Sequence, residues 1–368
     1  CRQRQDADDD HGGVHADLPR SPCAPRALYK LARIHTNFVN KARDISSTGC
    51  GRMRQNPKFP ILLIQALLIL SAASSLFAGA GGEEGRAGAR DVVLIHDVYE
   101  LQNMSLDLNG SYELANDIDA SATKDWNNGA GFAPIGNPWP VGDEPIPFNG
   151  SFDGRGHIIT NLYLNHSNKY IGLFALGSGN SLISNVTLKD TYVSATNIVG
   201  GLIGETYGNL TNCHVNGSII AYNYLGGVAG ILHNGTMDNC TFDGWLREYN
   251  SQSGGLVATN DKGAIANCSS SGSSRSGTSS AGLICENRGV VTDSHANWTV
   301  SGGFLAGGLI VRNYGPVLRC YGYGVVSGGS AGGLIAANGN ERTISNSFYC
   351  GHVEAGDAGG LVGENMGS

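Results

Sequence analysis

Hydrolytic chemistry needs particular side chains at particular separations, so the histidines, acids and cysteines come first. A zinc peptidase places His-Glu-x-x-His on a helix, so that two imidazoles and a general base meet one metal. None of the ten histidines has that spacing, and His11 and His15 lack the intervening Glu. Glycoside cleavage needs two carboxylates roughly 5–9.5 Å apart. The chain has 31 Asp and Glu, but Asp238, Asp243, Glu248 and Asp261 each stand alone in their part of the sequence pattern. Glu205 and Glu286 occupy equivalent positions three repeats apart, about 14 Å at strand spacing. Asp117, Asp119 and Asp153 could offer hard oxygens to Ca²⁺ or serve tight turns. The nine cysteines include no Cys-x-x-Cys pair, and His214 accompanies a cysteine once only, so zinc is not expected. No catalytic residue, metal site or cofactor is expected from these spacings.

The elements that would have to position such residues are repeats. Paired glycines recur from residue 172 onward. The second of each pair, with its follower, reads Gly172-Leu173, Gly201-Leu202, Gly227-Val228, Gly255-Leu256, Gly282-Leu283, Gly308-Leu309, Gly333-Leu334 and Gly360-Leu361. The intervals are 29, 26, 28, 27, 26, 25 and 27 residues, a period that means a solenoid or an array. A second column follows each pair: Val186, Cys213, Cys240, Cys268, Ser294, Cys320 and Ser347, each preceded by Asn, Asp or Arg. A glycine recurs four residues later at Gly217, Gly244, Gly272, Gly324 and Gly351, with Trp298 breaking the column. Asn-x-Gly triplets such as Asn287-Arg288-Gly289 and Asn313-Tyr314-Gly315 read as corners, because Gly and Asn tolerate left-handed backbone angles.

Glycine costs about 1 kcal/mol per helical position relative to Ala, and the 55 glycines concentrate here, so helical repeats are excluded. Two or three short strands per repeat, one coil each, give an all-β, right-handed parallel β-helix of about seven to eight coils. Propeller blades, at about 40 residues, are too long. Equivalent residues then stack about 4.8 Å apart, giving a rod of about 34 Å from Leu173 to Leu361. Leu173, Leu202, Val228, Leu256, Leu283, Leu309, Leu334 and Leu361 are expected to form an internal ladder. The column Cys213, Cys240, Cys268, Ser294, Cys320 and Ser347 is read as small buried side chains. Stacked cysteines would also lie within bridging range.

Charged residues are 15% and hydrophobic residues 41% of the chain, too apolar for disorder. Residues 81–368 carry 13 Lys and Arg against 25 Asp and Glu, a net charge of −12. Nucleic acid is therefore not an expected partner. Met53, Arg54 and Lys58 open a basic start, Phe59 to Phe77 is nearly all apolar, and Ala78-Gly79-Ala80 is a small-x-small site, so residues 53–80 read as an export signal and Gly81 as the mature terminus. Membrane contact is expected only through that segment. Residues 1–52 read as an upstream extension or a tail before a signal anchor. Residues 81–170 read as a cap with first coils, in which Trp126, Phe132, Trp139 and Phe148 close the rod or offer a surface to carbohydrate. Residues 171–368 hold the repeats. The chain stops part-way through a repeat, which is read as truncation or as pairing with another chain, and end-to-end self-association is expected at Gly363-Glu364-Asn365.

Asn-x-Ser/Thr sequons stand at Asn103, Asn109, Asn149, Asn165, Asn209, Asn216, Asn234 and Asn297, suited to an exported glycoprotein. Those at Asn185, Asn239 and Asn267 belong to the repeat's own Asn column and read as structural.

Residues 110–368 resemble GLUG-motif proteins. The lead-in runs Tyr112-Glu113-Leu114-Ala115-Asn116-Asp117-Ile118-Asp119-Ala120, Phe132-Ala133-Pro134-Ile135-Gly136 and Phe148 to Ile159, and the naming element is Gly200-Gly201-Leu202-Ile203-Gly204. The pattern widens at Ala281 to Cys285 and Gly307 to Val311. The resemblance implies a secreted or surface-displayed β-helix of bacterial or archaeal type, similar to adhesins. Similar repeats flank the protease domain of IgA-cleaving metallopeptidases. The expected function is a non-catalytic surface rod, adhesin-like or envelope-building, that binds glycans, cells or copies of itself. The alternatives are a polysaccharide lyase or glycosidase, or the stalk of a larger secreted protease.

Overall fold

The computed structural model describes residues 91–136, 146–339 and 342–366. The export signal over 53–80, residues 1–52, the terminus at Gly81 and Trp139 lie outside the described residues. The described chain is a parallel β-solenoid of about eight coils with almost no helix. Three sheets of 10, 16 and 8 strands run along it.

One coil shows how the sequence is used. Its strands are Asn209–Thr211, His214–Ala221, Tyr224–Gly226 and Ala229–His233. That is four strands per repeat, where two or three short ones were expected. The longest, His214–Ala221, is interrupted at Gly217, whose φ is +158°. Each strand pairs in parallel with its equivalent in the next coil: Leu210 with Met237, Ile219 with Leu246, Leu225 with Ser253 and Ile231 with Thr259. Backbone donors and acceptors are thereby satisfied between coils, and side chains alternate between core and solvent.

The paired glycines form the corner between the third and fourth strands. A Cβ on the first glycine would strike the same chain folding back: at Gly226 it would lie 1.8 Å from the Ala229 carbonyl oxygen, and at Gly254 2.0 Å from that of Val257. On the second glycine it would strike the neighbouring coil: at Gly255 it would lie 1.8 Å from the Gly282 carbonyl oxygen, and at Gly282 2.1 Å from that of Gly308. Close backbone approach accounts for the glycines, although one coil carries Ala281 at the first position. The left-handed angles that were expected at the Asn-x-Gly corners occur instead at the column before Cys/Ser, where Asn212 has φ +54°, Asn239 +49° and Asp293 +51°.

Leu173, Leu202, Val228, Leu256, Leu283, Leu309 and Leu334 are fully buried. They stack through backbone bonds such as Leu283 N to the Leu309 oxygen at 2.9 Å. Leu361 departs from the expected ladder and is 43% exposed. It stacks on Leu334 alone, because no described coil lies on its other side. Asn260, Asn287, Asn313 and Asn338 form a second buried ladder, each Nδ2 donating to the next Oδ1 at 2.8–3.1 Å and ending on Asn365. Asn287 and Asn313 are the Asn of Asn-x-Gly corners, and their amides tie the corner together from inside by donating to the Gly289 and Gly315 carbonyls.

The lead-in segment adds strands Ser111–Leu114 and Ser151–Asp153 to the ten-stranded sheet. A six-residue helix, Val98–Asn103, begins at Asp97, whose carboxylate accepts from the Tyr99 and Glu100 amides. Its Val98 and Leu101, and Met104 just after it, are buried in the main core. Phe132 and Phe148 are fully buried, and Phe148 packs 4.9 Å from Phe174 of the first repeat, centroid to centroid. These two rings are core, and Trp126 is half-buried between Phe132 and Tyr99, at 6.3 and 5.1 Å.

Candidate functional site

The third and fourth strands of each coil lie close because small residues face each other between them. Ala281, Cys285, Val311 and Ala336 form a buried cluster separate from the main core. A Cβ on Gly230 would meet Ile198 and Val199 of the facing strand within 3.0 Å. Outside this small-residue seam the two strand columns flank a groove. One wall carries Tyr224 and Gln252, and the other carries Ile231, Thr259 and Glu286, with His233, Asp261 and Arg288 beside them. The groove holds about 230 Å³.

Charged side chains of consecutive coils form a chain here. His233 Nε2 lies 3.2 Å from Glu205 Oε1, and its Nδ1 3.2 Å from Asp261 Oδ2. Arg288 reaches Asp261 at 3.9 Å and Glu286 at 2.5 Å. Gln252 Nε2 donates to Glu286 at 3.4 Å. The imidazole stacks on Tyr207 at 4.4 Å and 11°. In its own column Asp261 lies between His233 and Arg288, with no acid in either neighbouring coil. Glu205 and Glu286 reach it from another column, through His233 and Arg288.

The chemistry open to this cluster follows from its pairings. A triad histidine offers one nitrogen to a nucleophile and the other to an orienting acid. Both nitrogens of His233 face carboxylates. A glycosidase acid must deliver a proton to the leaving oxygen, whereas Asp261 and Glu286 share the guanidinium of Arg288. The arrangement is a network of mutually paired polar side chains along the groove.

The other acids serve local structure. Asp117 accepts from the Ile158 amide at 3.0 Å and faces His157 at 3.1 Å; these bonds, the amide's first, lower its pKa. Asp119 accepts from Asn161 and Ser121, which lower its pKa. Asp153 accepts from the Arg155 amide and from Asn185 Nδ2. Each is therefore engaged by a neighbouring segment, Asp119 and Asp153 also by the amide two residues on. Among the described residues no group of three or more His, Cys, Asp and Glu is placed to hold a metal.

Cys213, Cys240, Cys268 and Cys320 are free and buried. Their column accepts backbone N–H from the coil before: Cys240 N donates to Cys268 Sγ at 3.4 Å, Cys268 N to Ser294 Oγ at 3.1 Å and Cys320 N to Ser347 Oγ at 3.0 Å. Sulfur and hydroxyl do the same work there, which explains why they interchange. The Cys240 thiol and burial push the Cys213 thiol well up. Burial pushes Cys285 up to about 12. Trp298, which broke the glycine column, turns inward and stacks on Phe242 at 6.1 Å.

Of the sequon asparagines, Asn103, Asn109, Asn165, Asn234 and Asn297 are exposed. Asn149 and Asn216 instead spend their Nδ2, the atom a glycan would modify, on Asn109 at 3.0 Å and on the Asp243 carbonyl at 3.0 Å. Asn209 is half-buried and accepts from Thr236. Asn185, Asn212 and Asn239 run as an amide ladder, with Asn239 Nδ2 donating to Asn212 at 2.9 Å, while Asn267 Nδ2 donates to the Asp238 carboxylate at 2.8 Å.

The family described as the GLUG motif matches residues 221–247. The chain is 36% identical over 163 residues, 44% of its length, to halomucin of Haloquadratum walsbyi. It is 34% identical over 151 residues, 39% of its length, to a candidate Gly-rich membrane protein of Evansella cellulosilytica. It spans 2% of the first relative's length and 16% of the second's. Its fold is similar to the crystal structure of a candidate immunoglobulin A1 protease from Bacteroides ovatus. That similarity has a TM-score of 0.50 and 19% identity, covering 74% of this chain and 86% of that one. It concerns the fold alone.

Proposed function

We propose that this GLUG-motif solenoid is a surface or extracellular structural protein, a rod without catalytic activity whose exposed coil faces meet glycans or other cells. One observation carries the reading: the residues best placed for chemistry are already paired with one another, His233 with two carboxylates and Arg288 with two more contacts of the same kind. Around them each coil repeats the same internal ladders, an architecture that extends a surface. The named relatives, halomucin and a candidate Gly-rich membrane protein, support the surface setting. Among the described residues no helix is long and apolar enough to cross a membrane.

A carbohydrate-active enzyme is the second reading, favoured by three carboxylates, Glu205, Asp261 and Glu286, gathered at one groove. Incubation of the chain with a panel of neutral and acidic polysaccharides separates the two. No new reducing ends and no unsaturated products are expected. Products that disappear in Asp261→Asn and Glu286→Gln would establish the enzyme.

A further inference from the structure

We infer that the groove beside His233 is a binding site for a neutral saccharide ring, held by Tyr224, Gln252, Asp261, Glu286 and Arg288. The inference rests on the surface-rod reading only in taking the groove to bind and not to cleave.

Size comes first. The groove's volume of about 230 Å³ lies below the ~300–1,000 Å³ typical of pockets for drug-sized ligands. It equals the liquid volume of about eight waters at ~30 Å³ each, enough for one six-membered ring with its hydroxyls. Chemistry comes next. A hydroxyl both donates and accepts, so it is served by acceptors and donors side by side. The carboxylates of Asp261 and Glu286 accept, and the Arg288 guanidinium and Gln252 amide donate, all within one groove. Tyr224 and Ile231 supply an apolar surface for the C–H face of a ring.

Charge then narrows the class. Two carboxylates and one guanidinium line the groove, and Glu205 joins them through His233. An anionic sugar would meet like charge in a partly enclosed site, where screening is weak. Neutral sugars carry no such penalty.

The test is calorimetric titration of the full chain with neutral gluco- and galacto-oligosaccharides, and separately with oligogalacturonate. At least one neutral series should bind and oligogalacturonate should not. Gln252→Ala and Glu286→Gln should each weaken binding by about tenfold, and Tyr224→Ala at least as much. Tyr224→Phe keeps the ring and should bind within about threefold of the parent, which guards against mere misfolding of the alanine variant. The inference is overturned if no neutral oligosaccharide binds, if oligogalacturonate binds better, or if Gln252→Ala and Glu286→Gln bind like the parent. Shortened products from a bound neutral sugar would support the site and overturn the non-catalytic reading. Absence of binding together with absence of products would leave that reading standing and sink the site.

Discussion

At the scale of single residues the structure is governed by what fits between coils. Gly255→Ala would put a methyl 1.8 Å from a backbone oxygen of the next coil. That oxygen belongs to the tight corner between two paired strands, Ser279–Ala281 and Ile284–Asn287, and cannot retreat cheaply, so the variant should lose about 1–3 kcal/mol or more. Gly179→Ala, with nothing within 4 Å of its Cβ, should leave the unfolding midpoint nearly unchanged. Denaturant unfolding of the two variants checks the contrast. The glycine pairs were legible as a period, but their reason was not. Sequence reading assigned left-handed angles to Asn-x-Gly, whereas those angles fall on Asn212 and its equivalents. Both residue types tolerate the conformation, so composition cannot say which position adopts it.

The thiols give a second residue-scale expectation. Burial raises Cys285 from its ordinary 9.0 to about 12, and Cys213 and Cys320 are also raised. A folded value above the unfolded one means that the stabilisation is complete below pH 9 and is lost as pH rises toward about 12. Stability should therefore fall across that alkaline range. Cys285→Ala should flatten part of the fall, since Ala258 and Ala336 already occupy equivalent positions. Alkylation of the native protein should label Cys350, which is exposed, and spare the five buried cysteines of the described residues.

At the scale of elements the ladders carry the stability. Leu283 is fully buried between Leu256 and Leu309, so Leu283→Ala should cost about 2–5 kcal/mol. Asn287→Ala would leave the Asn260 amide and the Asn313 oxygen without their ladder partner. Each orphaned buried group costs about 1–3 kcal/mol, so this polar variant should rival the leucine one in thermal unfolding. The leucine ladder could be read directly, because one apolar residue follows each glycine pair. The asparagine ladder could not, because Asn beside Gly reads equally well as a surface turn. The groove was missed for a related reason. A repeat aligns equivalent positions, while His233 meets Glu205 of the adjacent coil two residues out of register.

At the scale of the whole molecule, about eight described coils of similar build present long faces, and the polar groove beside His233 lies along them. The period alone was enough to see the solenoid, since few other folds repeat at 25–29 residues. The lead-in was partly legible: it read as a cap with first coils, but only the structure shows the Phe132 and Phe148 rings to be interior. Location is the claim on which the functional account turns. The most direct measurement is brief protease treatment of intact cells of the source organism, with released peptides identified by mass spectrometry against lysed controls. Peptides from residues 91–366 should be released from intact cells, as an outward-facing rod requires. Their recovery only after lysis, with known surface proteins released normally, would contradict the account.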